Sequence, residues 1–380
     1  MNVDNTRLLE DVQALVRIPS IESLDAVAEY TLGQLREAGV DNAKLDEEGN
    51  VVGSLGEGDG LLLNAHLDTV GVQGYLGDPF SGDVEGESVV GRGSCDCKSG
   101  VAGMLEIARQ LADKPLHRRV ILTASVWEEG MTDNVNGAYG LARREGATEA
   151  IVMEQTVRSP EEMAVQVGCL GTFRMNLRVK GKACHSSRPQ EGDNAIYRAA
   201  EFARRFQEAF PPDSMPHAEF EVCGETLSSQ SVISLTEIEA MQGRNIIPDG
   251  CFLGLDCRIN PGQDWKAVER RVRDLAGEFG EGMIEVEKVV AVPGHFCDRE
   301  PLIETCRAAA KASGFGAPLA IMTGRADSTI FQNEGGVPSV VFGPGNANRA
   351  HTNNERLDLP LFYLGAQACL DAVWALAGKP

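Results

Sequence analysis

Four short, nearly unbroken apolar runs constrain this chain most: Leu61-Leu62-Leu63, Val120-Ile121-Leu122, Ile151-Val152-Met153 and Val340-Val341-Phe342. A strand with one wet face alternates apolar and polar residues, so a continuous apolar strand must be covered on both faces. Around these runs, apolar residues recur at helical spacing: Val12, Leu15 and Val16, then Ala28, Leu32 and Leu35, then Val101, Met104, Leu105, Ala108 and Leu111. Doubly covered strands alternating with helices predict an α/β fold with a mostly parallel sheet.

Between residues 169 and 292 the pattern changes. Phe173, Met175, Leu177 and Val179 alternate strictly, as do Leu253, Leu255, Cys257 and Ile259, which is the signature of half-buried strands. Helical spacing covers 194–210 and 265–279, and further strand-like stretches cover 231–238 and 283–292. The order β-α-β-β-α-β is that of a ferredoxin-like unit. The α/β pattern then resumes, with helices over 302–312 and 361–377. A chain of 380 residues also exceeds the roughly 250–300 at which one hydrophobic core stops growing. The expectation is a discontinuous catalytic domain, 1–168 and 293–380, interrupted by an inserted lid or dimerisation domain, 169–292.

Charge and composition exclude several functions. Asp+Glu 56 against Lys+Arg 35 gives a net charge of −21, which repels nucleic-acid backbones and anionic membranes. The GRG of GRGSCDC does not continue to the third glycine of a dinucleotide fingerprint. No apolar run approaches the roughly 18–20 residues of a membrane span, and the N-terminus lacks the basic and apolar regions of a secretory signal. The ten cysteines form no CxxC pair and read as reduced thiols of a cytoplasmic protein. Cys95 and Cys97 read as small packing residues on either side of Asp96. A small-molecule partner is expected, with no nucleic acid and no membrane.

Polar residues collect where the apolar runs end. The first delivers His66 and Asp68, the second Glu128 and Glu129, the third Glu154, and the fourth leads into a loop reaching His351. Asp96 lies in a glycine-rich turn just before the helix at 101–111. In open α/β sheets ligands bind outside the carboxyl ends of the strands, so these groups face one rim. Clustered carboxylates repel one another unless a positive charge sits among them. A divalent metal supplies it, and nitrogen and oxygen donors without thiolate suit zinc, cobalt or manganese. Two metals about 3.5–4 Å apart need a bridging carboxylate, a task open to one acid on its own loop. Glu128 and Glu129 cannot both point to one spot from an extended backbone, so one can ligate while the other serves as a general base.

HLDTV, GRGSCDCKSG, EEG, GKACHSSRPQEGDNAI and FGPG…AHTNNE resemble the dinuclear zinc hydrolases that include acetylornithine deacetylase, succinyl-diaminopimelate desuccinylase, aminoacylase and glutamate carboxypeptidase. The resemblance runs from about residue 60 to 356. It implies that His66 and Glu154 bind one metal ion, that Glu129 and His351 bind the second, and that Asp96 bridges them. Asp68 is implied as the partner that orients His66, and Glu128 as the catalytic base. It further implies a homodimer formed through the inserted domain, with His185 stabilising the oxyanion and Arg258 and Asn245 gripping the substrate. Arg325, in TGRAD, departs from the family pattern; it either binds a substrate carboxylate or pairs with Asp327.

The function expected is a deacylase cleaving the amide bond of a small N-acyl amino acid with two divalent ions, zinc foremost. A metallo-dipeptidase or carboxypeptidase using the same site is the alternative. A catalytically silent binding protein on this scaffold is the remote one, since all five metal positions and the base are present.

Overall fold

The four apolar runs become neighbouring strands of one ten-stranded sheet. Arg119–Ser125, Gly60–His66, Ala147–Ser159 and Ser339–Asn346 lie side by side in that order and run parallel. Antiparallel strands flank them, Val51–Leu55 on one side and Val165–Cys169 on the other. The computed structural model describes residues 1–130, 135–240 and 243–379.

Each run is apolar throughout because it feeds two cores. Leu61, Leu63, Val120, Leu122, Ile151 and Met153 join the core beneath helices Asn5–Arg17, Lys98–Leu111 and Leu359–Ala377. The intervening Leu62, Ile121, Val152 and Val341 join a separate core under helices Ala138–Arg144 and Ser328–Gly335. A polar residue at any of these positions would be buried without a partner, so both parities of the strand are constrained.

Strand register levels the ends of the apolar runs. His66 stands opposite Ser125, and Asn64 and Val341 both stand opposite Val152. The first two strands end there, at Ser125 and His66, while the other two run on as a pair to Ser159 and Asn346.

A second sheet is antiparallel throughout, in the order Val232–Glu239, Gly250–Ile259, Gly171–Lys180, Ile284–Val292. Phe173, Met175, Leu177 and Val179 face helices Ala195–Ala209 and Trp265–Gly277 and share a core with Phe202, Phe206, Val268 and Val272. The opposite parity carries Thr172 and Arg174, level with Arg258 and Asp256 of the adjacent strand. That polar face looks onto the carboxyl edge of the large sheet.

The sequence pattern missed a hairpin, His217–Val222 with Glu225–Gln230. Its turn residues Cys223 and Gly224 both have positive φ, 51° and 72°, the geometry of a tight two-residue turn. The hairpin departs from the second sheet and packs on the first core through Val222 and Leu227. Phe220 stacks on Phe296 at 4.7 Å, and Glu225 pairs with Arg307 at 2.6 Å. Helix Leu359–Ala377 is long and apolar enough by length and composition to cross a membrane, with a mean hydropathy of 1.4. Here it packs on Glu300–Ala312 and Ser339–Asn346 and buries Phe362, Leu370 and Val373, which accounts for its composition.

Two glycines let backbone crowd the strand that carries Glu154. A Cβ on Gly100 would lie 2.1 Å from the Met153 carbonyl oxygen, and one on Gly343 would lie 2.3 Å from the Glu154 carbonyl oxygen. Gly100→Ala is accordingly expected to push the helix off this strand and to lower stability by about 1–3 kcal/mol, read from the denaturant midpoint. An unchanged midpoint would mean that the close approach is not a constraint.

Candidate metal centre

His66 is the last residue of its strand and is buried. Its Nε2 lies 2.8 Å from Asp96 Oδ1. The other carboxylate oxygen of Asp96 lies 3.1 Å from His351 Nε2 and accepts a hydrogen bond from Gln155 Nε2 at 3.0 Å. One carboxylate thus sits between two imidazoles and offers an oxygen to each. His351 Nε2 is also 2.9 Å from Glu129 Oε1. Ligand atoms of His66, Asp96 and Glu129 lie within 4.8 Å of one another, a spacing able to hold a metal ion. Glu154 is buried and lines the same cavity, and its Oε1 has no hydrogen-bond partner among the described residues.

Asp68 stands against His66 and also holds the backbone of the segment after the neighbouring strand. The backbone carbonyl of Asp68, at 2.9 Å, meets Nδ1 of His66, while the nearer carboxylate oxygen stands off at 3.6 Å. The carboxylate instead accepts the backbone N–H groups of Glu128 at 3.0 Å and Glu129 at 2.9 Å. Trp127, at φ +63°, makes this possible by turning the chain back after strand Arg119–Ser125. A bulky residue in the left-handed region is uncommon and costs about 1–3 kcal/mol, which Asp68 offsets by fixing the two N–H groups that follow.

The charges are unbalanced. Burial, then repulsion from Glu128 and Asp96, raises the Glu154 carboxyl well above its ordinary range. Burial likewise raises Glu128 well above that range, and it raises Glu129. Hydrogen bonds to Asp96 and Glu129 push His351 up to about 10. Burial opposes charge on Asp96 too, but hydrogen bonds from His351 and His66 hold it below the usual carboxylate range. Acids and imidazoles together hold more protons than they would in water, as a site with excess negative charge must. Divalent cations can take the place of those protons, and the donor set of imidazole nitrogen and carboxylate oxygen fits them. The nearest thiols do not compete: Cys95 Sγ donates to the Arg356 carbonyl and Cys97 Sγ to the Met153 carbonyl. Burial pushes both thiols well above their ordinary value.

A cavity of about 600 Å³ spans from this cluster to the polar face of the second sheet. Arg258 and Arg325 line it. Arg325 does not pair with Asp327. Its Nη2 lies 3.4 Å from the Glu128 carbonyl oxygen and 4.0 Å from Glu128 Oε1. Asp327 is buried and satisfied by neutral donors, Asn64 at 2.9 Å, Ser125 at 2.6 Å and Asn136 at 2.8 Å. His185 and Asn245 are not brought to the cavity. Both are exposed on one tip, where His185 Nδ1 meets Ser187 Oγ at 2.7 Å and the Asn245 carbonyl accepts from Ser186. Arg174, which the sequence reading did not single out, does line the cavity, and Asp256 takes both its Nε and that of Arg258 at 2.8 Å. Its strand parity with Arg258 is a signal that becomes readable once the two strands are known to pair.

The chain is 29% identical over 280 residues to the uncharacterized protein YgeY of Escherichia coli, covering 72% of this chain but 65% of that protein. It is 28% identical over 333 residues to acetylornithine deacetylase of Myxococcus xanthus, covering 84% and 82% of the two chains. A tripeptidase from Staphylococcus aureus shares the fold, with a TM-score of 0.79 at 23% identity over 99% of each chain. Residues 62–375 match the family model described as peptidase family M20/M25/M40, and the chain therefore belongs to that family.

Proposed function

We propose that this protein removes the acyl group from a small N-acyl amino acid, with two divalent ions, zinc foremost, held by His66, Glu154, Asp96, Glu129 and His351. The observation that carries this reading is the Asp96 carboxylate between His66 and His351, with Glu128 buried beside it. When bound, the two ions lower the pKa of a shared water and polarise the amide carbonyl. Asp96 would offer an oxygen to each ion, and Glu154, whose Oε1 is unpartnered, would complete the donor set.

Glu128 takes the proton of the attacking water and returns it to the leaving amine. Its burial keeps the carboxyl raised, so its affinity for that proton is higher than a wet glutamate would have. Asp68 fixes the backbone from which Glu128 and Glu129 diverge, one toward the base position and one toward the ligand position. Arg258, steadied by Asp256, holds the substrate carboxylate, and Arg325 lines the same cavity beside Glu128. The catalytic domain comprises 1–168 and 293–380, and 169–292 forms the lid and the contact for a homodimer. His185 and Asn245 lie outside the cavity of one chain, so their contribution to the oxyanion and the substrate requires movement of the lid or a second copy. The protein works in the cytoplasm, where its ten free cysteines stay reduced.

An amine-release panel of N-acetyl, N-succinyl and N-carbamoyl amino acids with dipeptides tests the reaction. One acyl class is expected to react, and Glu128→Gln to lower kcat by about 10²–10⁴-fold. Turnover confined to dipeptides would replace the deacylase reading with a peptidase. His185→Ala is expected to lower kcat by about 10²–10³-fold, and an unchanged kcat would remove the residue from the oxyanion site.

The charge imbalance gives a metal-free prediction. In the folded protein Glu128, Glu129 and Glu154 retain protons that the unfolded chain has lost above about 4.5, so stability falls as pH rises from there. His351 contributes stability that is full below 6.5 and is lost as pH rises toward its folded value of about 10, with the same sign. Asp96 has the opposite sign but acts only below 3.8. The Tm of chelator-treated protein should therefore drop between about pH 5 and 8, and two equivalents of Zn2+ should flatten the profile. A metal-free Tm that is level or rising over that interval would contradict the site.

A further inference from the structure

Glu355 is as deeply buried as any carboxylate in the protein and has no place in the chemistry described so far. Its Oε2 accepts from Arg92 Nη1 at 2.7 Å and from the Gly93 backbone N–H at 3.0 Å. Its Oε1 accepts from the backbone N–H groups of Cys95 at 2.9 Å and of Asp96 itself at 3.1 Å. The backbone carbonyl of Glu355 takes the Gly91 N–H at 3.2 Å and the Tyr75 hydroxyl at 3.0 Å. Arg92 in turn lies over the Tyr75 ring, 5.3 Å from its centroid. One residue therefore grips the turn at 91, 93, 95 and 96 from the inside.

Glu355 follows His351 by four residues, on the short segment that leaves strand Ser339–Asn346. The turn it grips carries Asp96. These two segments must present Asp96 Oδ2 and His351 Nε2 at 3.1 Å, while Asp96 Oδ1 stays 2.8 Å from His66 on a third segment. A carboxylate that has to satisfy two partners at once tolerates a placement error of about 0.5 Å, and a glycine-rich turn has no rigidity of its own to supply that. Charge-assisted bonds from three backbone N–H groups fix the turn more tightly than neutral acceptors would.

We propose that Glu355 is a positioning residue: it locks the backbone of Asp96 to the His351 segment so that one carboxylate faces both imidazoles. The inference rests on reading the cluster as a two-metal centre. It concerns geometry and does not depend on the identity of the substrate.

The test is stepwise titration of chelator-treated protein with Co2+, followed by visible absorption. Four proteins are compared: wild type, Glu355→Gln, the double variant Arg92→Met with Glu355→Gln, and Glu149→Gln. The double variant removes both buried charges together and so leaves neither unpaired. Glu149 is a buried carboxylate held by Arg118 at 2.6 Å and Arg299 at 2.7 Å near the start of strand Ala147–Ser159, far along it from Glu154, and serves as the control for losing a buried ion pair.

Wild type and Glu149→Gln are expected to take two equivalents alike. Both Glu355 variants are expected to bind the second equivalent about 10–100-fold more weakly, with an altered spectrum, and to lose kcat in proportion. Two equivalents bound within about twofold of wild-type affinity and with the wild-type spectrum would overturn the proposal. It would also fall if both Glu355 variants failed to fold while Glu149→Gln folded, because Glu355 would then be a requirement of the fold. Wild type that took up no Co2+ would instead sink the metal-centre reading and this inference with it.

Discussion

Asp96, Glu129 and Glu154 are largely buried carboxylates crowded at one cavity wall, and Glu128 adds a fourth beside them. Burial and mutual repulsion both oppose ionisation there, and the raised values of three of these acids record the conflict. The arrangement is tolerable only if protons or metal ions neutralise it. Much of the surrounding structure holds these groups together against their repulsion.

The restraint comes mainly from backbone N–H groups and neutral side chains, with few opposing charges. Asp68 fixes the N–H groups of Glu128 and Glu129, and Glu355 fixes those of Gly93, Cys95 and Asp96. Asp327, buried below the base, is satisfied by two amides and a hydroxyl. Such partners stabilise a carboxylate without placing a competing cation in the site, so the positive charge is left to the metal ions. The exceptions are Arg92, which pairs with Glu355, and Arg325, which approaches Glu128 from the cavity side. Gly100 and Gly343 then allow helix and strand to close on Met153 and Glu154 with no side chain between them.

The second sheet contributes a wall of opposite character. Arg174 and Arg258 share Asp256 and so retain one net positive charge facing the acidic rim. The hairpin His217–Val222 and Glu225–Gln230 ties this part of the chain to the first core through Phe296 and Arg307. The cavity is therefore bounded by two independently built surfaces, and any change in their spacing alters its width.

The parallel sheet was legible in the sequence, as was the gathering of His66, Glu128, Glu129 and Glu154 where its apolar runs end, though not that Glu154 lies within a strand running on to Ser159. Burial on both faces leaves a local mark, a continuous apolar run, although the first polar residue after it can stay inside the sheet, as Asn64 and Thr123 do by bonding each other. The hairpin left no such mark, because it is short, largely polar and turned by Cys223-Gly224 in place of a strong turn pair. The contacts made by Asp68, Arg174 and Arg325 were not legible either. Each depends on what lies across from it: Asp68 on N–H groups 60 residues away, Arg174 on a strand partner 82 away, Arg325 on a glutamate 197 away. Periodicity by itself determined which faces of each segment are buried, because burial acts on neighbours along the chain. Only the tertiary structure decided which polar groups meet, because hydrogen bonds and charge pairing act between segments whose register no local pattern records.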